Sequence, residues 1–254
     1  MAHDQVRLVE DMRHLGIAAG DTLFVHSSYK SLGSVEGGAG TVIRAMADAV
    51  GPEGLLLLPA FNLIGDRDER ANNWNVEETP SSVGWLTEFF RQLEDTHRSN
   101  HYSHSVCARG LGAEEISADH LSNRGMSSPW DREPWGKAYG ADSPMIRAYD
   151  RGGKILMIGV DFYTSTYCHV VEVIYWNELR KQDAGAEFVW LDRTRLGAFW
   201  EAKGVLACGK IGDADCRLIG IRTYVDGLLE EVRENADAYD RVKLRTREAG
   251  HGEK

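Results

Sequence analysis

The stretch TLFVHSSYKSLGSVEGGAGTVIRAMADAVGPEGLLLLP, residues 22–59, decides the fold that this sequence predicts. It opens with a short apolar run over residues 22–25 and closes with a second apolar run over residues 55–58. Between the two runs, residues 41–50 have the spacing of an amphipathic helix. Uninterrupted apolar strands that are joined through a helix are typical of a parallel pair covered on both faces. The stretch therefore predicts a β-loop-α-β unit in an α/β protein.

Further elements extend this unit along the chain. Apolar residues at helical spacing over residues 6–17 predict an N-terminal helix, and KILMIGV, residues 154–160, is the clearest buried strand. A helix is expected to begin near Thr166, shortly after that strand. From residue 187 onward, short alternating segments that include Phe199 predict antiparallel strands at a sheet edge. The C-terminal part is therefore expected to be smaller and antiparallel.

The composition is that of a globular protein. The chain has 254 residues, of which 43% are hydrophobic and 27% charged, and it shows no internal repeat and no linker. These figures predict a single domain over residues 1–254, with a polar tail from about residue 245. The formal net charge is −10. No basic cluster is present, which argues against a nucleic-acid partner, whereas a cationic partner and a plain solubility charge both fit the acidic total.

The cysteines and the N-terminal segment bear on the compartment. The 4 cysteines are scattered without a C-x-x-C pair, which is typical of reduced thiols rather than of a zinc ribbon or a disulfide framework. The N-terminal segment lacks the basic start and apolar run of a signal peptide, and no stretch approaches the roughly 18 apolar residues of a membrane span. We therefore expect a cytoplasmic protein that has no membrane partner.

A polar, glycine-rich loop over residues 27–40 lies between the first predicted strand and its helix. Backbone N–H groups at such a position, together with the positive end of the helix dipole, favour an anion. The glycines do not spell G-x-G-x-x-G, and no Lys-Ser or Lys-Thr pair follows as in a Walker loop. A phosphate cradle and a simple flexible turn both remain open from this pattern.

The segment TSTYCHVVE, residues 164–172, carries the residues best suited to acid–base chemistry. His169 and Glu172 are three positions apart and share one face of the helix that Thr166 is expected to cap. A carboxylate beside an imidazole fixes its tautomer and stabilises its protonated form, while the helix N-terminus acts in the opposite direction. The pair is a candidate general base at the carboxyl end of a strand, where ligands gather in open α/β sheets. A surface His–Glu pair without a catalytic role is the alternative.

The remaining histidines give weaker signals. His97, His101 and His104 have spacings of four and three that resemble half of a metal site. The intervening polar residues favour a loop, and the stretch contains no acidic or Cys ligand, so no metal is predicted. His26, at the end of the first strand, is either a core histidine or a catalytic one. No G-x-S-x-G elbow is present, so a serine nucleophile is not indicated.

Taken in order, seven segments resemble the aminoglycoside 3-N-acetyltransferase family over about residues 17–230. They are GDTLFVHSS (20–28), GGAGTVI (37–43), GPEGLLLLPAFN (51–62), ETPSSVGWLTEFFR (78–91), HYSHSVCARG (101–110), GADSPMIRAYDRGGKILMIGV (140–160) and TSTYCHVVE (164–172). This family is distinct from the GNAT acetyltransferases. The resemblance implies a three-layer α/β/α sandwich around a mostly parallel or mixed central sheet. It also implies an enzyme that takes its acyl group from acetyl-coenzyme A.

The resemblance further implies roles for individual residues. The residues that would lie along or near coenzyme A are Ser31, Leu32, Gly33, Val35, Ser105 and Val106. His169 would remove a proton from the attacking amine, Glu172 would hold the imidazole, and Thr166 would polarise the thioester oxygen. His26 and His104 match positions that line the cleft. The transfer would be direct, without a covalent enzyme intermediate and without a metal.

The same resemblance implies a polycationic aminoglycoside as the acceptor, with antibiotic resistance as the outcome. Carboxylates in the polar loop over residues 62–80, a candidate lid, would bind its ammonium groups. The acidic candidates in this loop are Asp66, Asp68, Glu69, Glu77 and Glu78. Two features depart from the family pattern: Tyr102 stands where proline is common, and residues 124–140 form an aromatic-rich stretch without a match. Both lie where an acceptor would be selected.

Three functions remain open from the sequence. The first is acetylation of the 3-amino group of an aminoglycoside, and the second is the same chemistry on a different amine metabolite. The third is a non-catalytic protein that binds coenzyme A or polycations. The sequence also leaves a homodimer open.

Overall fold

Seven strands form one sheet in the computed structural model of the chain, which describes residues 2–245. The strands are β1 (Thr22–Ser27), β2 (Leu55–Pro59), β3 (His97–Arg98), β4 (Val106–Gly110), β5 (Lys154–Ile158), β6 (Ala207–Ile211) and β7 (Ala214–Gly220). The α-helices of these residues are α1 (Gln5–Leu15), α2 (Gly38–Val50), α3 (Arg67–Asn72), α4 (Trp85–Arg91), α5 (Ala113–Ser117), α6 (Pro144–Asp150), α7 (Tyr167–Gln182), α8 (Arg193–Lys203) and α9 (Ile221–Tyr239). Two 3-10 turns, Tyr29–Leu32 and Phe162–Thr164, follow β1 and β5.

The centre of the sheet is parallel, and both of its sides are antiparallel. The strand order is β3-β4-β2-β1-β5-β7-β6. β1 pairs in parallel with β2, where Thr22 lies opposite Leu55, and in parallel with β5 on its other side. All the outer pairings are antiparallel. The predicted β-loop-α-β unit is confirmed as β1-α2-β2, and the C-terminal strands β6 and β7 continue the same sheet.

Apolar side chains cover both faces of the sheet. Along β1, Phe24 belongs to one hydrophobic cluster, whereas its neighbours Leu23 and Val25 belong to another. The first cluster contains the buried apolar residues of α5 through α9, which pack on one face of the sheet. The second contains those of α1, α2 and α4, which pack on the other face. Strand side chains alternate between the two faces, so a strand that is apolar throughout needs helices on both sides. The chain thus forms the three-layer α/β/α sandwich around a mixed sheet.

The segment around Phe199 corrects the sequence interpretation. Phe199 lies in helix α8, not in an antiparallel strand. The Asp192 side chain caps this helix by accepting hydrogen bonds from two backbone N–H groups of the first turn. Phe199 also packs against Trp200, with their ring centroids 4.9 Å apart. The prediction was wrong because a short alternating pattern does not register a helix cap or a distant packing partner.

The long polar segment after β2 is partly helical. Helix α3 follows Asp66, whose carboxylate accepts a hydrogen bond from the backbone N–H of Glu69. The Glu69 carboxylate in turn accepts from the backbone N–H of Asp66. This reciprocal capping box satisfies two backbone donors and stabilises a short helix in an otherwise irregular segment. The role of the segment as a lid stays a prediction.

The structure bears only in part on the predictions for the C-terminal tail, for membrane spans and for the number of domains. The polar tail predicted from about residue 245 lies outside the described residues, apart from Arg245 itself. Within residues 2–245, no helix combines the length and the apolar character needed to cross a bilayer. The assignment of the whole chain to a single domain stays a prediction.

We expect Leu57→Ala to lower the free energy of unfolding by about 2–5 kcal/mol, because it leaves a cavity in a close-packed core. Leu57 is 0% exposed in β2. Urea unfolding followed by circular dichroism measures the change. Val6→Ala is the control, because Val6 is 66% exposed on α1, and its effect should stay within about 0.5 kcal/mol. Equal losses in the two variants would contradict the assignment of Leu57 to the core.

Candidate active site

His169 and Glu172 lie in the first turns of α7, shortly after β5. Their side chains contact each other, with Nδ1 of His169 2.5 Å from Oε2 of Glu172. The Glu172 side chain is 1% exposed and the His169 side chain is 16% exposed. The spacing of three residues therefore brings the two groups together on one helix face, with the carboxylate inside the protein and the imidazole at a cavity wall.

Two further contacts fix the orientation of this pair. The backbone N–H of Leu191 donates to Oε1 of Glu172 over 2.8 Å. Nη2 of Arg193 lies 2.6 Å from Nε2 of His169. Because a guanidinium can only donate, Nε2 is the acceptor and the ring proton is on Nδ1, from which it is donated to Glu172. The pair is thus arranged as a neutral imidazole whose basic nitrogen is Nε2.

His169 lies at the junction of two cavities. The first has a volume of about 380 Å³ and opens at the carboxyl ends of the parallel strands, with Pro59 and Val160 in its wall. The second has a volume of about 430 Å³ and is lined in part by Glu172. His169 and Arg193 line both cavities. Two reactants that occupy these cavities can therefore approach the same imidazole from different sides.

His26, near the end of β1, contacts the N-terminus of α7. Its Nε2 accepts from the backbone N–H of Thr166 over 3.4 Å, and the Thr166 hydroxyl oxygen is 3.5 Å from the same nitrogen. Burial lowers the pKa of His26 to about 3, and the charge of Arg193 contributes further. His26 is therefore neutral near pH 7. Thr166 is the N-cap residue without a side-chain capping bond, and it lines the first cavity with His26.

His104 packs beside His169 in an aromatic cluster. The two imidazole centroids are 5.9 Å apart, and the Trp130 ring lies 4.8 Å from His104 and 4.6 Å from His169. The hydroxyl oxygen of Ser103 is 2.5 Å from Nδ1 of His104. Burial lowers the pKa of His104 well below its ordinary value, and the neighbouring His169 adds to this effect. His104 is thus an uncharged part of the cavity wall.

The predicted coenzyme A residues of the glycine-rich loop lie in and after the 3-10 turn that follows β1. Ser31 lies against Gly159 beyond β5, where an added Cβ would be only 1.8 Å from the Ser31 hydroxyl oxygen. Leu32 is fully buried, Gly33 has a φ of 77°, and Val35 forms an isolated bridge to the N-terminal segment. In the described part of the chain, none of these four predicted residues lines either cavity. Their contact with coenzyme A stays a prediction.

The other two predicted coenzyme A residues, Ser105 and Val106, are buried at the start of β4. They are 0% and 1% exposed, respectively. The Ser105 hydroxyl donates to the backbone C=O of Ala60 over 3.0 Å, and Val106 packs in the core. Neither side chain lines the two cavities around His169. A role for them in coenzyme A binding also stays a prediction.

The carboxylates that were expected to bind a polycation are not part of the wall of the first cavity. Asp66 caps α3, and Glu77 and Glu78 are exposed. Within residues 2–245, none of these three lines either cavity around His169. The same segment instead contributes Arg70 to the first cavity. The charge that it brings there is therefore positive, and the binding role of the three carboxylates has no support from their placement.

The histidine stretch belongs to a buried cluster that includes His120. His101 stacks on His120 with ring centroids 4.8 Å apart. Nδ1 of His120 is 2.9 Å from the hydroxyl oxygen of Ser99, and Nε2 of His120 donates to the backbone C=O of Ala138 over 3.1 Å. Burial lowers the pKa of His120 to about 4. Across residues 2–245, no group of three His, Cys, Asp or Glu residues is arranged to hold a metal ion.

Arg70, Trp130 and Arg193 are among the residues of the cavity wall that sequence reasoning missed. Trp130 belongs to the aromatic-rich stretch without a family match, and its backbone C=O accepts a hydrogen bond from Tyr102 over 3.0 Å. The unusual composition of that stretch was a signal for it. Arg193 follows His169 by 24 positions and reaches it only because α8 packs against the 3-10 turn at Phe162–Thr164. No local pattern could have singled it out.

Comparisons with known proteins agree on one family. The model of the aminoglycoside 3-N-acetyltransferase family matches residues 24–233. Aminoglycoside N(3)-acetyltransferase VIII of Streptomyces fradiae is 31% identical over 199 residues, which are 72% of this chain and 63% of that protein. The SPbeta prophage-derived aminoglycoside N(3')-acetyltransferase-like protein YokD of Bacillus subtilis (strain 168) is 29% identical over 253 residues, covering 86% of this chain and 88% of that one.

A solved structure supports the same fold. AAC-IIIb in a binary complex with CoASH superposes with a TM-score of 0.72 at 22% identity, covering 92% of this chain and 97% of that one. The matched relatives and the layered fold define an acyltransferase. The chain belongs to the aminoglycoside 3-N-acetyltransferase family. The resemblance read from the seven sequence segments is thereby confirmed.

The buried histidines make the stability of the protein depend on pH. Below about pH 6.5, the unfolded chain binds protons at its histidines, whereas His26 and His120 in the folded protein resist protonation until about pH 3 and about pH 4. The unfolded state then binds more protons, so the free energy of unfolding falls as the pH drops below 6.5, by about 1.4 kcal/mol per pH unit for each such histidine.

We therefore expect His120→Gln to make this decline shallower between pH 6.5 and pH 5, because one of the buried groups is gone. Urea melts at several pH values measure the slope for wild type and variant. His14→Gln is the control, since His14 is exposed on α1. Equal slopes in wild type and His120→Gln would show that His120 does not contribute.

Proposed function

We propose that the chain transfers the acetyl group of acetyl-coenzyme A to an amine, with His169 as the general base. The observation that carries this proposal is the 2.5 Å contact between Nδ1 of His169 and the buried Glu172. This contact leaves Nε2 as the basic nitrogen, at a wall shared by two cavities. The similarity in fold to AAC-IIIb, which was solved with CoASH, supports coenzyme A as the acyl carrier.

The chemistry follows from the residue types. Nε2 of His169 accepts a proton from the amine while the amine nitrogen attacks the carbonyl carbon of the thioester. The carbon–sulfur bond then breaks, and coenzyme A leaves as a thiolate that is protonated afterwards. Glu172 holds the imidazole and stabilises its positive charge. Thr166 lies at the helix N-terminus, where donors favour the developing oxyanion.

The first candidate acceptor is the 3-amino group of an aminoglycoside, and the biological outcome would be antibiotic resistance in the cytoplasm. The names of the matched relatives support this candidate. The lining of the second cavity adds no support, because Arg193, Arg241 and Arg245 accompany Glu172 and Asp192 there.

The second candidate is the same transfer to a different amine metabolite. The lining of the first cavity favours it, because this lining includes Arg70 and Arg193 but no Asp or Glu of residues 2–245. A non-catalytic binding protein, the third function left open by the sequence, has less support. Such a protein would have no use for a buried carboxylate aligned on an imidazole.

Thiol release from acetyl-coenzyme A, measured with a panel of amines, tests the proposal. Release that depends on aminoglycosides supports the first candidate, and release with other amines alone supports the second. Binding of coenzyme A without release to any amine supports the non-catalytic alternative and contradicts the proposed transfer.

We expect His169→Ala to lower kcat by about 10²–10⁴-fold, the usual contribution of a general base. The affinity for coenzyme A should change little, because the substitution removes the base and leaves the strand ends intact. Steady-state kinetics and titration with coenzyme A measure the two quantities. His14→Ala, on the exposed face of α1, should keep wild-type turnover. Near wild-type kcat in His169→Ala would exclude His169 as the base.

We expect Glu172→Gln to slow turnover and to shift the pH dependence of kcat, because a neutral amide stabilises a protonated imidazole less well than a carboxylate. A pH–rate profile measures both effects. The matched control is Glu178→Gln on the same helix, since Glu178 pairs with Arg233 and does not line the cavities around His169. An unchanged profile in Glu172→Gln would leave Glu172 with a purely structural role.

A further inference from the structure

The contact between Arg193 and His169 blocks the nitrogen that the transfer needs. Nη2 of Arg193 donates to Nε2 of His169 over 2.6 Å, and Nη1 donates to the backbone C=O of Tyr163 over 2.6 Å. While this contact persists, the lone pair of Nε2 is engaged and cannot accept a proton from an amine. The guanidinium must therefore leave Nε2 before the base can act.

Arg193 has no carboxylate partner to receive it. In the described part of the chain, Arg193 donates to His169 and to the backbone C=O of Tyr163, Arg70 donates to the backbone C=O of Asp66, and neither forms a salt bridge with an Asp or Glu. The nearest acid in sequence, Asp192, accepts hydrogen bonds from backbone N–H groups of α8 instead. Both guanidinium groups line the first cavity, so two cations without a carboxylate partner face one space of about 380 Å³.

The remaining titratable groups of this cavity do not compensate these charges. Its lining also includes His26, His104 and His169, and no acidic residue among residues 2–245. Burial holds the pKa of His26 at about 3 and that of His104 well below its ordinary value, so these two rings are neutral near pH 7. The lining of the cavity is therefore positive, although the Glu172 carboxylate lies directly behind His169 and the whole chain carries a net charge of −10.

We infer that the acceptor taken at this site is an amine that also carries an anionic group, which Arg193 and Arg70 bind. The inference rests on the proposed acetyl transfer and specifies its acceptor. A phosphate or carboxylate offers paired oxygens to a guanidinium and forms stronger hydrogen bonds with it than a neutral imidazole does. The anionic group thereby draws Arg193 away from Nε2, and the amine of the same molecule takes the freed position.

The phosphates of coenzyme A do not account for this arrangement. They lie at the far end of the uncharged pantetheine arm from the thioester, and the thioester must lie near His169 for transfer to occur. A guanidinium bonded directly to the imidazole therefore meets groups at the reacting end. A polycation would bind less favourably in this cavity, because its ammonium groups would lie beside two guanidinium cations in a partly buried space.

The test compares two acceptors that share one amine and differ only in a phosphate, namely glucosamine 6-phosphate and glucosamine, with gentamicin as the polycation. Thiol release gives kcat and KM for wild type, Arg193→Met, Arg193→Lys and Arg70→Met. The matched control is Arg195→Met, because Arg195 lies two positions along α8, is exposed and lines neither cavity.

Wild type should prefer glucosamine 6-phosphate to glucosamine by about 10- to 100-fold in kcat/KM, the range expected for hydrogen bonds between charged groups. Arg193→Met should abolish this preference mainly by raising the KM for glucosamine 6-phosphate, because the guanidinium that binds the phosphate is gone. Arg193→Lys should restore part of the preference, and Arg195→Met should retain all of it. Arg70→Met should weaken it to a smaller extent.

Other results separate the failure of this inference from the failure of the proposed function. Equal kcat/KM for the two glucosamines, or turnover of gentamicin alone, overturns the inference and leaves the acetyl transfer intact. If none of the amines supports thiol release, the proposed function is contradicted. In that case, calorimetric binding of glucosamine 6-phosphate decides: binding that Arg193→Met removes supports the anion site, and no binding to wild type overturns it.

Discussion

The hydrogen bond between Glu172 and His169 is the interaction on which the rest of the site depends. The carboxylate belongs to a side chain that is 1% exposed, so it loses most of its hydration, and this loss costs several kcal/mol unless other donors replace the water. The donors here are Nδ1–H of His169 and the backbone N–H of Leu191. They also determine the function of the imidazole, because a proton fixed on Nδ1 leaves Nε2 basic. The irregular segment before α8 therefore helps to hold the pair to which we assign the proton transfer.

The sheet explains why this pair lies beside a cavity. β1 is flanked in parallel by β2 on one side and by β5 on the other, and the helices that precede β2 and β5 cover opposite faces of the sheet. Where neighbouring connections leave to opposite faces, a crevice opens at the carboxyl ends of the strands. His26 comes from β1, and Thr166 and His169 follow β5. Two distant parts of the sequence thus meet across this crevice, as the contact of His26 with Thr166 shows.

Local patterns predicted what depends on local geometry. The β1-α2-β2 unit follows from two apolar runs around a helical stretch, and the His169–Glu172 contact follows from a spacing of three on a helix. Features set by tertiary packing were not predictable in this way. Phe199 joined a helix because of the Asp192 cap, and Arg193 reached His169 across 24 positions. The family pattern gave no help at Trp130, since its segment departs from that pattern.

The sign of the charge around His169 illustrates why composition is a poor guide to a site. A net charge of −10 suggested a cationic ligand, but charges beyond about 8–10 Å are largely screened at physiological ionic strength. The cavity therefore responds to its own lining, which contains Arg70 and Arg193 but no Asp or Glu of residues 2–245. Exposed Asp and Glu elsewhere keep the protein acidic without reaching this space. We infer that an acceptor is selected by the groups that line this cavity, where the two guanidinium groups favour a ligand that brings negative charge together with its amine.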